Sequence, residues 1–309
     1  MKQRILITGA AGALAQQVIR RLRHQYELVV VDSRTEVTTP PDIPSFRCEF
    51  LHRSFEELFR KYHFDGVIHL GRISSRESTR ERRYNANVLG TQRLLEHCVK
   101  YEVKQLIVLS THFVYGAHPY NPSFITEDAP LKAAGFTQDL VDTVELENLV
   151  MIHLWKYPQL RTTLLRPCHI VGPGINNSMS QLLSQPRSPA LMGFSPLMQF
   201  IHVNDAAKSI VLAYQGDKPG IYNLASDDCV AFQDALRMSG CKILPIPSIP
   251  ESLCRAVVKK LDMRYFPLFL LDYFKYATTI DGRLFQRTFN YTPDISLAEI
   301  FEHYANLKS

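Results

Sequence analysis

The chain has 309 residues, with 35 Lys and Arg against 30 Asp and Glu, a net charge of +5 and 46% hydrophobic residues. That apolar share supports a sizeable core, and the length fits one large α/β unit or such a unit with a smaller companion. The charge is too small and too dispersed to indicate nucleic acid, and no apolar run is long and clean enough to span a membrane.

The six cysteines, Cys48, Cys98, Cys168, Cys229, Cys241 and Cys254, form no C-x-x-C pair and no metal-type spacing. They read as buried thiols of a reducing compartment, and no metal site is expected. The sequence opens directly on the strand-like run Ile5-Leu6-Ile7, without a charged-then-apolar leader, so a cytoplasmic location is expected.

In chain order, Arg4–Thr8 is a predicted strand, Gly12–His24 a helix and Glu27–Asp32 a second strand. Helix is expected over Phe55–Tyr62, strand over Gly66–Leu70, helix over Asn87–Tyr101 and strand over Gln105–Ser110. Glu145–Trp155 then reads as helix and Arg161–Arg166 as strand. Continuous apolar strands alternating with amphipathic helices predict βαβ units, hence a Rossmann-type, doubly wound parallel sheet covered on both faces. After about Gly172 the pattern loosens. Proline and serine are frequent through Gly174–Pro196, Ile243–Ser252 is proline-rich, and Tyr265–Tyr276 is aromatic and apolar. This half reads as a smaller, less regular domain, with polar Asn176–Ser188 as the candidate mobile loop.

The strongest local signal is Thr8-Gly9-Ala10-Ala11-Gly12-Ala13-Leu14-Ala15, set between a strand and a helix. One glycine permits the turn and a second lets the backbone approach a pyrophosphate. The helix start then offers unpaired N–H groups and a positive dipole end. Ala15 suits the third small position. Asp32 ends the next strand, where a carboxylate accepts hydrogen bonds from ribose hydroxyls and repels a 2′-phosphate, favouring NAD over NADP; nearby Arg34 works against that preference.

These residues resemble the extended short-chain dehydrogenase/reductase family, and within it the NAD-dependent epimerase/dehydratase group. Further landmarks follow in order over nearly the whole chain: Val67–Gly71, Asn87–Thr91, Ser110–Gly116, Leu165–Pro173, Phe200–Asp205 and Gly220–Leu224. The resemblance implies a cofactor domain from residues 1–171 plus about 220–240, and a substrate domain from about 172–219 and 241–309. It implies cofactor contacts from Thr8, Gly9, Ala11, Gly12, Ala13, Leu14, Asp32, Leu70, Gly71, Asn87, Leu109, Ser110, Pro167 and Cys168. It also implies a small-molecule substrate such as a nucleotide sugar, and a homodimer seam on Val88–Tyr101 and Thr143–Trp155.

The family's chemistry uses a Tyr-x-x-x-Lys pair, in which the lysine lowers the tyrosine's pKa and the tyrosine moves a proton while hydride passes. Counting back from Glu147 sets this pair at Asp139 and Thr143, and residues 121–156 contain no tyrosine. The one Tyr-x-x-x-Lys, Tyr214 to Lys218, lies far from that place and reads as chance. Thr111 matches the family's catalytic hydroxyl. Asp139, His112 and His169 are candidate replacement bases, although each histidine reads first as an ordinary hydrogen-bonded or surface residue. The expectation is an epimerase/dehydratase-like oxidoreductase with an altered site; the alternative is an NAD-binding scaffold or redox sensor acting through a protein partner. Arg72, Arg76, Arg80, Arg82 and Arg83, interleaved with Glu77 and Glu81, read first as a solvated basic face and otherwise as a surface for a phosphate or an acidic partner.

Overall fold

The computed structural model describes residues 2–35, 37, 39–73, 79–247 and 269–308. Seven parallel strands form the central sheet: β1 (Arg4–Thr8), β2 (Glu27–Asp32), β3 (Ser45–Arg47), β4 (Gly66–His69), β5 (Gln105–Leu109), β6 (Arg161–Pro167) and, much later in the chain, Gly220–Leu224. Their spatial order is β3-β2-β1-β4-β5-β6 followed by Gly220–Leu224, so the connections reverse direction between β1 and β4. At such a switch point the loops leaving adjacent strand ends diverge and open a crevice.

Strand periodicity sends alternate side chains to opposite faces. In β1, Ile5 and Ile7 enter one core while Leu6 enters the other; in β2, Leu28 and Val30 part from Val29 and Val31 in the same way. The second core is closed by α2 (Arg53–Tyr62), α4 (Gly90–Lys100) and α6 (Val141–Lys156), through residues such as Phe55, Leu94 and Val150. Between β4 and α4 lie α3 (Arg80–Tyr84) and a π-helical turn, Asn85–Leu89; α5 (Ala133–Phe136) precedes α6.

The expected strands up to β6 are present. Helix Asn87–Tyr101 differs in that its start is the π turn, because Asn87 is drawn to the backbone of Ile73 and Gly90 packs on Phe50. β3 was not expected: it is three residues long, two of them polar, and exists by pairing with β2.

The C-terminal half follows as β7 (His169–Val171), α7 (Ser178–Ser184), β8 (Arg187–Leu191), β9 (Leu197–Met198), β10 (Phe200–His202), α8 (Val203–Gly216), β11 (Gly220–Leu224), β12 (Val230–Ala231), α9 (Phe232–Met238) and β13 (Lys242–Ile246). Three helices end it, α10 (Leu270–Tyr273), α11 (Arg283–Phe289) and α12 (Leu297–Asn306). The loop expected at Asn176–Ser188 is corrected: α7 occupies its centre. Asn177 caps the helix by accepting from the Ser180 N–H at 2.8 Å, and Met179, Leu182 and Leu183 bury one face in a third core.

Packing distributes the later helices between two cores. α8 lies on α1 (Ala13–Leu22), and Ala206, Ala207 and Ile210 join the first sheet core, whereas Phe232, Ala235 and Leu236 of α9 join Phe301 and Tyr304 in the third. Of the expected aromatic stretch Tyr265–Tyr276, residues 265–268 lie outside the described residues, as do part of the proline-rich Ile243–Ser252, Cys254 and Arg76. Cys48, Cys98, Cys168 and Cys241 are buried free thiols and Cys229 is partly covered; no metal-holding group of side chains occurs among the described residues.

Candidate cofactor and active site

The turn after β1 is built to exclude side chains. Gly9 has φ +67°, and a Cβ there would stand 2.6 Å from the Gly71 Cα and N, so neither a side chain nor an ordinary backbone fits between the ends of β1 and β4. Gly12 donates its N–H to the Gly9 carbonyl at 3.0 Å and starts α1, whose first turn has no capping side chain and no acidic residue. Its free N–H groups and positive dipole end therefore face the crevice, as an anion requires.

Asp32, 2% exposed, lines that crevice at the end of β2. Its Oδ2 accepts from the Ala11 N–H at 3.0 Å, and its Oδ1 from the Arg34 N–H at 2.9 Å and Arg34 Nε at 3.3 Å. Gly9, Gly12, Asp32, Leu70, Gly71 and Asn87 line one open cleft of about 510 Å³, together with Arg34, Phe50, Arg72, Arg82 and Asn85. Six of the expected cofactor residues thus face the cleft directly.

Others serve it from behind. Thr8 is fully buried; its Oγ1 accepts from the Gly71 N–H at 3.3 Å and lies 2.7 Å from His69 Nδ1, tying β1 to the loop after β4. Ala11 contributes its N–H to Asp32. Ala13 lies where a Cβ on Gly174 would stand 3.0 Å from its own Cβ, and Leu14 packs into the core. Ser110 turns away, donating to Glu147. Leu109 lies at the end of β5, against the first core. Cys168 is buried, which pushes its thiol far up from the usual range, and its N–H bonds to Leu224.

Asn87 uses its whole amide: Oδ1 accepts from the Ile73 N–H at 2.8 Å, and Nδ2 donates to the Ile73 carbonyl at 2.8 Å and to Asp142 Oδ2 at 2.6 Å. This fixes the loop after β4 against the start of α6. The arginines expected to form a solvated face divide. Arg83 is buried and pairs with Asp139 at 3.5 Å, Arg80 donates to Gln138, and Arg72 and Arg82 line the cleft. Helix spacing alone could not separate them, because what each one meets comes from α6 and the segment before it.

Thr111 precedes a 3₁₀ turn, His112–Tyr115, and its hydroxyl accepts from the Phe113 N–H at 3.4 Å. His112 Nδ1 lies 3.1 Å from the Pro167 carbonyl and therefore donates, leaving Nε2 as the acceptor of a neutral ring. Burial holds its pKa down at about 4. His169 stands edge-on at 4.5 Å between ring centres, and burial with the neighbouring His112 puts it well below the ordinary histidine range. Both line a small cavity of about 10 Å³ with Cys168, Gln199, Tyr273 and Thr278. Phe269 and Tyr273 close the far side on Phe113, with Tyr273 donating to its carbonyl at 2.5 Å. Tyr214, by contrast, is a core residue of α8 against Tyr26 and Gly66.

Beneath the site, Glu147 and Arg166 form a fully buried pair at 2.7 Å, and Arg166 also donates to Tyr115 Oη at 2.9 Å and the Glu127 carbonyl at 3.0 Å. The role of this pair was missed, because nothing in the spacing of a helix residue and a strand residue shows that they meet.

Residues 5–225 match the NAD dependent epimerase/dehydratase family. The chain belongs to that family. Curated relatives of this epimerase/dehydratase chain include an uncharacterized protein of Mycobacterium tuberculosis, 26% identical over 97% of this chain and 82% of its own length. The UDP-glucose 4-epimerase of Caenorhabditis elegans is 26% identical over 72% of this chain and 78% of its own. Among solved structures, the fold is shared with the Thermus thermophilus UDP-glucose 4-epimerase in complex with NAD (TM-score 0.75, 18% identity, 98% of this chain and 99% of that one). It is also shared with the Bordetella bronchiseptica enzyme WbmG in complex with NAD and UDP (TM-score 0.78, 16% identity, 99% and 94%).

Proposed function

We propose that this family member binds NAD in the cleft at the β1–β4 switch point and transfers hydride to or from a hydroxyl-bearing carbon of a small substrate, a nucleotide sugar or a related compound. The observation that carries the cofactor assignment is the interlocked Gly9–Gly71 backbone beside an uncapped helix start, with the Asp32 carboxylate bonded to the same turn through the Ala11 N–H. The glycines and helix N–H groups would hold the pyrophosphate and Asp32 the adenosine ribose. When bound, NAD supplies the hydride acceptor and donor. Thr111 orients the substrate hydroxyl, and His112 Nε2, neutral through the physiological range, is the acceptor for its proton.

A second reading, a non-catalytic NAD-dependent scaffold, is favoured by one specific observation. Asp139 is engaged by Arg83, and both histidines have pKa values far below neutral, so neither histidine is tuned near pH 7. Loss of turnover in His112→Asn alone supports the enzyme; partner binding without turnover in the native protein supports the scaffold. α6 also exposes Ile152 and Trp155, and we include a homodimer through this face in the proposal.

Calorimetric titration of the folded protein with NAD⁺, NADH and NADP⁺ tests the cofactor reading. The expected result is NAD binding weakened at least about tenfold in Asp32→Ala, with NADP⁺ weaker than NAD⁺ in the native protein. Absence of binding of any dinucleotide to folded protein overturns it.

A further inference from the structure

Arg72 directly follows Gly71, the glycine locked against Gly9, so its backbone starts at the centre of the cleft. Its Nη1 lies 3.4 Å from Thr143 Oγ1, at the first turn of α6. Two acidic groups, Asp142 and Glu147, attract it from the same helix. Asp142 is buried and is itself held by Asn87 Nδ2 at 2.6 Å, so its position is fixed. By surface area Arg72 is open to the cleft, yet protein atoms crowd its guanidinium. A guanidinium keeps its charge under such crowding.

A long cationic side chain left free in an open cleft sweeps many rotamers, and holding it by a hydroxyl while a fixed carboxylate attracts it reduces that freedom before a ligand arrives. Thr143 takes one of the five N–H donors, so donors remain for oxygen atoms in the cleft. The ligand of this cleft, on the reading above, is a dinucleotide whose ribose–pyrophosphate portion is rich in acceptors and carries negative charge.

We infer that Arg72 is a cofactor-positioning residue: reaching across from the loop after β4, held by Thr143 and attracted by Asp142, it supplies at the head of α6 the positive charge that Thr143 itself does not carry. The inference rests on the NAD reading and deepens it. It also accounts for how position 143, where the family resemblance sets a lysine, holds threonine: the cation arrives from a different element.

The test is an affinity measurement, not turnover. NADH binding, followed by its fluorescence, is compared in the native protein, Arg72→Ala, Thr143→Lys/Arg72→Ala and Asp32→Ala, with thermal melting to establish that each is folded. Arg72→Ala is expected to bind about tenfold more weakly and with a shallower dependence on salt. The double variant is expected to recover most of that loss, since removing the guanidinium leaves room for an ammonium beside Asp142. If Arg72→Ala does not fold, Arg72→Gln, which keeps hydrogen-bonding capacity without charge, carries the comparison. Native affinity in the folded Arg72 variant overturns the inference, as does a double variant no tighter than the single one. Loss in Asp32→Ala with no loss in the Arg72 variant sinks this inference alone; no NADH binding to the native protein sinks the cofactor reading as well.

Discussion

His69 sits between two threonine hydroxyls. Thr8 Oγ1 lies 2.7 Å from its Nδ1 and Thr91 Oγ1 lies 3.1 Å from its Nε2, so the neutral ring donates to one hydroxyl and accepts from the other. Burial makes the site hostile to charge, and the pKa is held at about 4. His112 is held at about 4 by burial in the same way. The unfolded chain takes up protons at these rings as pH falls below about 6.5, while the folded protein does not until about 4. Acidification therefore favours unfolding across that window, by about 3 kcal/mol for each ring at pH 4, and the effect is absent above it. Melting temperatures measured from pH 7 to pH 4 should fall, and His112→Asn, whose amide still donates to the Pro167 carbonyl, should flatten part of the slope. An unchanged slope in that variant removes His112 from the account. The histidines were legible in the sequence as residues near the site, but not as neutral ones: that depends on a carbonyl and hydroxyls contributed by other strands.

Among elements, the Glu147–Arg166 pair joins α6 to β6. Ser110 after β5 donates to Glu147, and Tyr115 links Arg166 to Asn223 of β11 through a 2.6 Å hydrogen bond. One acidic side chain thus fixes a helix against three adjacent strands under the site. Removing it leaves a guanidinium buried without its counter-charge, which costs about 3–5 kcal/mol, whereas replacing both partners by apolar groups of similar size costs far less. Glu147→Ala should lower the urea midpoint accordingly, and Glu147→Leu/Arg166→Met should restore much of it. A loss below about 1 kcal/mol in the single variant contradicts this role. The sequence marks both residues as polar positions inside apolar runs, but sequence separation alone does not show them to be partners.

At the scale of the whole molecule, the sheet's two faces are covered by helices whose outer surfaces differ. Trp155 is 78% exposed and Ile152 55%, one turn apart on the outer face of α6. Large apolar side chains of this size grouped on a helix packed to α4 are what a two-fold seam requires. Sedimentation velocity at micromolar concentration should give a dimer, and Ile152→Glu/Trp155→Arg a folded monomer. A native monomer under those conditions contradicts the seam. No helix among the described residues is long and apolar enough to cross a membrane, so this surface is not explained by a span.

The sequence by itself determined the parallel sheet, the glycine turn and the acidic end of β2, because each rests on local rules: strand periodicity, backbone freedom at glycine, and the fixed distance from turn to next strand. It also determined that residues 121–156 contain no tyrosine. Only the tertiary structure decided which arginine is buried and which faces the cleft, that α8 belongs to the sheet core and α9 to the third, and that polar residues 176–188 contain a helix. Those outcomes turn on burial and on partners far away in the chain. The energy of a polar group is set by what surrounds it after folding, not by its neighbours in sequence.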